Sequence, residues 1–252
     1  EQIGLPDAWD ITTGSSTIRV GVIDSGVDAS HPELRNRVNE DLSESFVDGV
    51  SPLEDPLGHG THVAGIIGAQ GNNASGITGV CWNVEIVSLR VSGNDNAPQP
   101  GAIVDAIKSA NSKGIHILNI SITSNTRDDT LLQNLRDAIA EFDGLVICAA
   151  GNAGLNTDHY PLYPACLLDA TGQDLDNLIS VGNSTRNNTR YETSCFGSVS
   201  VDIFAPGSDI FNCFPTDLCD ACDFGIHVAP GYHIVSGTSM AAPHVAGVAA
   251  LL

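Results

Sequence analysis

Short apolar runs rich in β-branched residues alternate along this chain with longer segments of helical periodicity. The runs are almost continuously hydrophobic, as is typical of strands that are buried on both faces of a sheet. Alternating strands and helices predict an α/β domain in which a largely parallel sheet is covered by helices on both faces. The predicted strands are 18–24, 84–91, 114–122, 145–150, 178–183 and 199–207.

Two predicted helices separate the three middle strands. The first begins after Gly101 and ends at Gly114. The second begins near Asp128 or Asp129 and ends at Gly144. Acidic residues favour a helix N-terminus, and glycine favours the position after the last helical turn. The chain shows no internal repeat, low-complexity tract or linker that would divide it.

Length and composition fit one domain over residues 1–252, because 42% hydrophobic residues are enough for a sizeable core. Thirty acidic residues against ten basic residues give a formal net charge of -20. Such a charge repels nucleic acids and anionic membranes, and it attracts cations or cationic substrates. No apolar run reaches the roughly 18 residues of a membrane helix. We therefore expect neither a nucleic-acid partner nor a membrane span.

Four polar residues occupy the places where parallel sheets put reactive groups, at the ends of strands and at the helix starts that follow them. Asp24 ends the first strand, and Asn152 follows the apolar run VICAAG. His59 precedes the helical run HVAGIIGA, and Ser239 opens the run MAAPHVAGVAALL. Each residue alone also fits a turn, a carbonyl partner or a helix cap. Their joint occurrence in the order Asp, His, Ser favours a catalytic site.

The segments around these residues resemble the signature segments of the subtilisin-like serine proteases, and the resemblance covers most of the chain. The segments are VGVIDSGVDASHPEL, GHGTHVAG, AAGN and GTSMAAPHVAG. The resemblance implies a subtilisin-like fold and a secreted serine endopeptidase whose triad is Asp24, His59 and Ser239. It also implies that Asn152 supplies the side-chain donor of the oxyanion hole.

Peptide hydrolysis gives each of these residue types a role. A serine hydroxyl is a poor nucleophile at neutral pH, so Ser239 needs the neutral imidazole of His59 to take its proton. Asp24 would fix the tautomer of that imidazole and stabilise its cation. The amide of Asn152 and the backbone N–H of Ser239 would meet the charge that develops on the substrate carbonyl oxygen. We expect Pro243 in the first helical turn, where a backbone N–H has no partner to lose.

The resemblance also places an extended protein or peptide substrate between two backbone edges, 93–98 and 119–123. The sequence departs from the family here, since the usual Ser-Leu-Gly-Gly reads Ser-Ile-Thr-Ser, and a threonine in place of glycine should narrow the first pocket. The alternative is a catalytically silent fold that binds peptides or an inhibitor, against which the complete triad argues. The candidate substrate-binding residues are Gly93, Ser121, Ile122, Thr123 and Gly151.

No cofactor is expected for the chemistry, but the resemblance suggests a structural calcium ion. The matching positions are Glu33 in HPEL and Asn73 in QGNNASGITG, both hard oxygen donors. The alternative is a solvated Asn-Gly turn beside a surface glutamate. His59 and His62 do not make a zinc motif, because no glutamate or third ligand follows them. We expect His62 and His244 to bond buried groups of helices or strands.

The chain has seven cysteines, so at least one lacks an intramolecular partner. Cys213, Cys219 and Cys222 lie in a loop that is longer than usual for the family, and one pair among them is predicted to form a disulfide. A redox or zinc half-site at Cys219 and Cys222 is the alternative, without the strand, helix or second pair that such sites need. Cys148, within an apolar strand, should be a free buried thiol.

Secretion also agrees with four Asn-x-Ser/Thr triplets, which begin at Asn73, Asn119, Asn183 and Asn187. The resemblance implies a pro-segment that inhibits the enzyme as a zymogen. Because the chain stops at Leu252 inside an apolar helix without a capping residue, we expect a truncated C-terminal end.

Overall fold

The structure is a computed structural model that describes residues 2–94, 97–217 and 225–252. The helices and strands of these parts follow in the order α1 (Leu5–Trp9), β1 (Arg19–Asp24), β2 (Glu44–Ser45), α2 (His59–Gly68), β3 (Glu85–Arg90), α3 (Pro100–Ser112), β4 (Ile117–Ile120), α4 (Asp129–Ala140), β5 (Leu145–Ala149), β6 (Leu178–Ser184), β7 (Ile203–Pro206), β8 (Ile210–Cys213), β9 (Ile226–Ala229), β10 (Tyr232–Val235) and α5 (Thr238–Leu251).

A seven-stranded sheet in the order β2-β3-β1-β4-β5-β6-β7 forms the centre of the fold. All its pairings are parallel, which confirms the predicted α/β class. Strands β8, β10 and β9 form a separate antiparallel sheet. Parallel strands end at one common edge, so the helix starts that follow them gather there.

The two faces of the central sheet carry different helices, as the alternation of side chains along β1 shows. Val20 and Val22 join the core beneath α2 and α5, whereas Ile23 joins the core beneath α3 and α4. Successive side chains of a strand point to opposite faces, so one apolar run serves two cores. This arrangement explains why the strands read as continuous hydrophobic segments.

One of the two glycines predicted to end helices does so. Gly114 follows α3 with φ of 62°, and Ile115 N–H donates to the carbonyl of Ala110 at 3.1 Å, closing the last turn. Gly144 has another role, because α4 ends four residues earlier at Ala140. A β-carbon on Gly144 would overlap the carbonyl oxygen of His116, so glycine is needed there for close approach.

Several elements do not follow from the hydrophobic pattern. The three strands of the small sheet, β8 to β10, are only four residues long and include Asn212, His227 and His233. The apolar runs 114–122 and 199–207 are longer than the strands within them, because their first residues belong to the preceding turn or loop. The start of α4 is as predicted: Asp128 caps it by accepting hydrogen bonds from two backbone N–H groups.

The cysteines agree in part with the sequence-based predictions. Cys148 is a free, fully buried thiol, as predicted. Cys213 is also free and buried, so it is not a member of the predicted loop disulfide. Cys219 and Cys222 lie outside the described residues.

In the described segments, no helix has the length and apolarity that crossing a bilayer requires.

The four Asn-x-Ser/Thr triplets divide into two exposed and two buried ones. Asn73 and Asn187 are exposed in loops. Asn119 and Asn183 are fully buried in β4 and β6, where no glycosylation enzyme reaches a side chain. Only two of the triplets are therefore accessible in the folded protein.

A pair of alanine substitutions tests the account of α3. Gly114→Ala should lower the free energy of unfolding by about 1 kcal/mol, because a β-carbon is disfavoured in the left-handed conformation. Gly101→Ala, inside the same helix with open space around its Cα, should raise it by about 0.5–1 kcal/mol. Denaturant titration measures both. Equal effects of the two substitutions would contradict the assigned conformation of Gly114.

Candidate active site

Asp24 and His59 meet at the carboxyl edge of the sheet. Asp24 is the last residue of β1 and His59 is the first residue of α2. Nδ1 of His59 lies 2.7 Å from Oδ1 of Asp24, and their side chains are only 13% and 3% exposed. The close approach depends on Gly60, where a β-carbon would overlap the carbonyl oxygen of Gly26. The sequence order Asp, His therefore becomes a buried contact between a strand end and a helix start.

The surroundings of His59 change its proton affinity. Burial alone would lower the pKa of His59, but the charge of Asp24 and its hydrogen bond raise it, and the charge of Asp55 adds to the rise. The net effect is a pKa above the ordinary histidine value. An acceptor on Nδ1 also fixes the tautomer, so that Nε2 is the nitrogen left to accept a proton.

Ser239 is the second residue of α5, and it is held by Ser121, the residue directly after β4. The hydroxyl of Ser239 donates to the carbonyl of Ser121 at 3.1 Å. In return, the hydroxyl of Ser121 donates to the carbonyl of Ser239 at 2.9 Å. Because Ile120 of β4 pairs with Ile23 of β1, these serines lie next to the strand end that carries Asp24.

Pro243 explains why the carbonyl of Ser239 is free to accept that bond. The expectation that Pro243 lies in the first turn is wrong, since it is the sixth residue of α5. A proline inside a helix cannot donate to the carbonyl four residues earlier, which here belongs to Ser239. The hydroxyl of Ser121 replaces the missing N–H donor, so the presence of proline allows a hydrogen bond between α5 and the residue that follows β4.

Asn152 is oriented by Thr238, the first residue of α5. Its Oδ1 accepts hydrogen bonds from N–H and Oγ1 of Thr238, at 2.8 and 3.1 Å. Since the oxygen is engaged, the amide nitrogen is the end that remains to donate, and Asn152 is exposed to the cleft. Thr238 Oγ1 also accepts from Gly151 N–H at 3.1 Å, which ties the end of β5 to the start of α5.

Ser25 and Asp55 join the site although the sequence patterns do not single them out. Both α2 and α5 begin after a glycine, which offers no capping side chain. For α2, the first-turn N–H groups of Gly60 and Thr61 donate to Ser25 Oγ and Asp55 Oδ2. An aspartate four residues before a histidine that opens a helix is the signal that could have pointed to this cap.

The proposed substrate edges lie beside this site. Ser92 and Pro98 form an antiparallel bridge that frames Gly93. Ile122 and Pro98, from opposite edges, line an apolar cavity of about 170 Å³. Thr123 and Asn152 line a more polar cleft of about 970 Å³. Both edges thus border cavities that a side chain could enter.

Gly151 is less suited to direct substrate binding than the other candidates. Its N–H donates to Thr238 Oγ1, and its carbonyl accepts from Cys195 N–H at 2.8 Å. Glycine is needed at this position for two reasons. Its φ is 108°, and a β-carbon would overlap the side chain of Leu162. These hydrogen bonds fix the backbone directly before Asn152, and substrate binding by Gly151 stays a prediction.

His62 and His244 bond to backbone carbonyls, as predicted. His62 Nε2 lies 3.1 Å from the carbonyl oxygen of Ile210 in β8, and burial lowers its pKa to about 3. His244 Nδ1 lies 2.8 Å from the carbonyl oxygen of Met240 one turn earlier, and burial lowers its pKa. Both rings therefore serve the packing of helices.

Glu33 and Asn73, the candidate calcium ligands, differ in environment. Glu33 is 1% exposed; Oε1 accepts from the hydroxyl of Tyr232 at 2.9 Å, and among the described residues Oε2 has no hydrogen-bond partner. The loop 72–78 lies against it, since a β-carbon on Gly76 would overlap Oε1. Asn73 is exposed, and its Oδ1 accepts from Ser75 N–H within the loop.

Comparisons with known proteins show what this chain is similar to. The pattern of the subtilase family matches residues 15–252. Thermitase from Thermoactinomyces vulgaris is 35% identical over 100% of this chain and 80% of its own length. A thermophilic serine proteinase from Bacillus sp. (strain AK1) is 36% identical over 97% of this chain, which spans only 54% of that protein. A solved cold-adapted subtilisin-like serine proteinase superposes with a TM-score of 0.73 and 31% identity, over 93% of this chain and 74% of its own.

The two histidines of α2 should titrate on opposite sides of the ordinary pKa of about 6.5. His59 should protonate above that value because of Asp24, whereas His62 should stay neutral down to about pH 3. Imidazole NMR titration measures both, and Asp24→Asn, which removes the charge, should lower only the pKa of His59. A wild-type pKa below 6.5 for His59 would show that burial outweighs the carboxylate.

Proposed function

Because the chain belongs to the subtilase family of serine proteases, we propose that it hydrolyses peptide bonds with Ser239 as nucleophile, His59 as general base and Asp24 as the residue that orients the base. The observation that carries the proposal is the 2.7 Å contact between His59 Nδ1 and Asp24 Oδ1, at the edge of the sheet where Ser121 holds Ser239 directly after β4. Nucleophilic catalysis by serine needs a base that is itself oriented by a third group.

The first half of the reaction forms an acyl-enzyme. The proton that Ser239 Oγ donates to the carbonyl of Ser121 in this structure passes to Nε2 of His59 as Oγ attacks the substrate carbonyl. Asp24 keeps Nδ1 protonated and stabilises the imidazolium. His59 then gives its proton to the leaving amine, and a water molecule repeats the sequence to release the acid.

The developing oxyanion has two candidate donors on one rigid unit. Nδ2 of Asn152 is available because Thr238 holds the amide oxygen, and the N–H of Ser239 lies in the first turn of α5, where helices leave such groups unpaired. Donors that are fixed before the charge appears stabilise it without reorganisation. Thr238 joins both donors, which supports their action as one hole.

An extended peptide between the two backbone edges would place its side chains in the cavities there. The apolar cavity bordered by Ile122 and Pro98 also includes Ile103, Leu131 and Leu135, which favours an apolar substrate side chain. Thr123 lines the larger cleft, so the residue beside the scissile bond would have less space there than a glycine would leave.

Secretion and zymogen control belong to the same proposal. The exposed triplets at Asn73 and Asn187 support an extracellular location. A pro-segment lying as an extended chain between the two edges would inhibit the enzyme by occupying the substrate path. A disulfide between Cys219 and Cys222 stays a prediction for the natively secreted protein.

Ser239→Ala distinguishes an enzyme from a silent peptide-binding module. The variant should lose cleavage of a denatured protein substrate while keeping its melting temperature, because the lost hydroxyl makes a single hydrogen bond. The assay compares purified wild-type and variant protein at pH 8. Equal cleavage by both would refute the nucleophile, and a wild-type protein that binds peptides without cleaving them would establish the silent module.

Asn152→Leu tests the oxyanion donor. Turnover, kcat, should fall about a hundredfold or more with little change in KM, the loss that removal of such a donor causes in subtilisin. The amide acts only when charge has developed, so ground-state binding is spared. A variant that raises KM and keeps kcat would place Asn152 in the substrate pocket instead.

We also propose a structural calcium ion at Glu33. A buried carboxylate oxygen without a donor is costly, and a hard cation beside the loop 72–78 would satisfy it. Backbone carbonyls would complete the shell, because the described residues contain no cluster of three His, Cys, Asp or Glu side chains. Asn73 fits less well, since its oxygen is engaged within the loop.

The calcium proposal predicts a melting temperature that rises from chelator to millimolar calcium, because an ion that binds only the folded state stabilises it by mass action. Glu33→Gln should abolish the dependence, whereas Glu40→Gln, on an exposed carboxylate, should keep it. A wild-type melting temperature that is the same in both buffers would dismiss the site.

A further inference from the structure

We propose that Asp55 is a positioning residue of the active site, which fixes the start of α2 around His59 and supplies a second buried negative charge to the base. The inference rests on the proposed function, since it concerns how His59 acts on Ser239. Asp55 is a buried carboxylate that acts through Ser25 and through the backbone on both sides of His59.

Asp55 accepts five hydrogen bonds although it is only 4% exposed. Oδ1 accepts from Ser25 Oγ at 2.7 Å, Gly58 N–H at 2.9 Å and Leu57 N–H at 3.2 Å. Oδ2 accepts from N–H and Oγ1 of Thr61, at 2.8 and 2.7 Å. Five donors around one carboxyl group favour its ionised form, but the cost of burial is larger, so the pKa of Asp55 lies above the ordinary aspartate value.

The backbone N–H groups that bond to Asp55 lie on both sides of His59 along the chain. The N–H of Gly58 comes one residue before it and the N–H of Thr61 two residues after it, so one carboxylate fixes the backbone on both sides of the base. Gly58 has φ of 83° and no side chain, so the helix start has no cap of its own. A negative charge at this end also favours the helix dipole.

Ser25 connects Asp55 to the orienting carboxylate. Its hydroxyl lies 2.7 Å from Asp55 Oδ1 and 3.2 Å from Asp24 Oδ1, and its single proton favours the shorter contact. Oγ of Ser25 also accepts a hydrogen bond from Gly60 N–H at 3.1 Å, and Ser25 N–H donates to Asp24 Oδ1 at 2.7 Å. Asp55 thereby sets the orientation of a hydroxyl that touches Asp24.

The charges around His59 come from several elements. Asp24 on β1 and Asp55 before α2 both act on His59, and the charges of His59 and of His233 on β10 act on His62 in α2. The buried guanidinium of Arg90 on β3 interacts with Asp55. Burial has the largest effect and raises the pKa of Asp55; its hydrogen bonds lower it, the charge of Asp24 raises it, and the net effect is a rise. The charge of Asp55 raises the pKa of His59 and makes it a stronger base.

Three substitutions separate this role from simple helix capping. Asp55→Asn keeps the shape, but removes the charge and leaves one oxygen for five donors. Asp55→Glu keeps the charge and displaces the carboxylate by a methylene. Glu54→Gln, the matched control, removes one charge from the exposed neighbouring side chain. For each folded variant, kcat and KM are measured from pH 5 to 9 on a peptide substrate, together with the melting temperature.

Asp55→Asn should reduce kcat about tenfold to a hundredfold with KM within about twofold, because a displaced base loses its alignment. The midpoint of the acidic limb of kcat/KM should move down by about 0.3 pH units or more, since His59 loses a stabilising charge. Asp55→Glu should reduce kcat without moving the midpoint. Glu54→Gln should match the wild type in both.

If the acidic limb of kcat/KM has the same midpoint in Asp55→Asn as in the wild type, the charge of Asp55 does not act on His59. That result would overturn the electrostatic part of the proposal and leave Asp55 as a structural cap of α2. Wild-type kcat in Asp55→Glu would overturn the positioning part. If Asp55→Asn does not fold, Asp55→Glu provides the test. A fall in kcat that exceeds the change in KM supports the proposal, and wild-type values of both refute it. A wild-type protein that cleaves no peptide would refute the protease function itself, whereas wild-type cleavage with Asp55→Asn equal to Glu54→Gln refutes only this inference.

Discussion

The buried hydrogen bond between His59 Nδ1 and Asp24 Oδ1 is the contact on which the site depends. It joins the last residue of a central strand to the first residue of a helix, and both positions follow from the parallel sheet, whose strands end at one edge. The bond sets the tautomer of the imidazole, raises its proton affinity and fixes the approach of α2. Ser239 comes to the same edge because α5 packs beside α2 in one core.

Helix α2, which carries the proposed base, and helix α5, which carries the proposed nucleophile, begin in the same way. Both begin after a glycine, and their first-turn groups are bonded by side chains from other elements. Asp55 and Ser25 hold the start of α2, and Asn152 holds that of α5. Capping groups of this kind also set where the reactive side chains lie, so stability and catalytic geometry depend on the same hydrogen bonds.

Much of this arrangement could be predicted from the sequence. The continuous apolar runs predicted the parallel sheet, because strands buried on both faces have no polar side. The segments around Asp24, His59, Asn152 and Ser239 predicted that these residues lie at the ends of strands and the starts of helices. The small sheet was missed because its four-residue strands contain polar residues.

The supporting residues of the site could not be predicted in the same way. The bond from the hydroxyl of Ser121 to the carbonyl freed by Pro243 joins residues 118 positions apart in the chain. No local pattern encodes such a contact, which exists only once the sheet and α5 have packed. The same holds for Ser25 and Asp55, which are 30 positions apart. Local signals place the reactive residues, and tertiary packing supplies their partners.

Covalent labelling with a serine-directed fluorophosphonate, followed by peptide mapping, tests most directly whether Ser239 is a nucleophile activated by His59. We expect one labelled residue, Ser239, and a labelling rate that falls by orders of magnitude in His59→Ala, because the hydroxyl then has no base. Folded wild-type protein that takes up no label, that is labelled at another serine, or that is labelled equally fast without His59 would refute these roles.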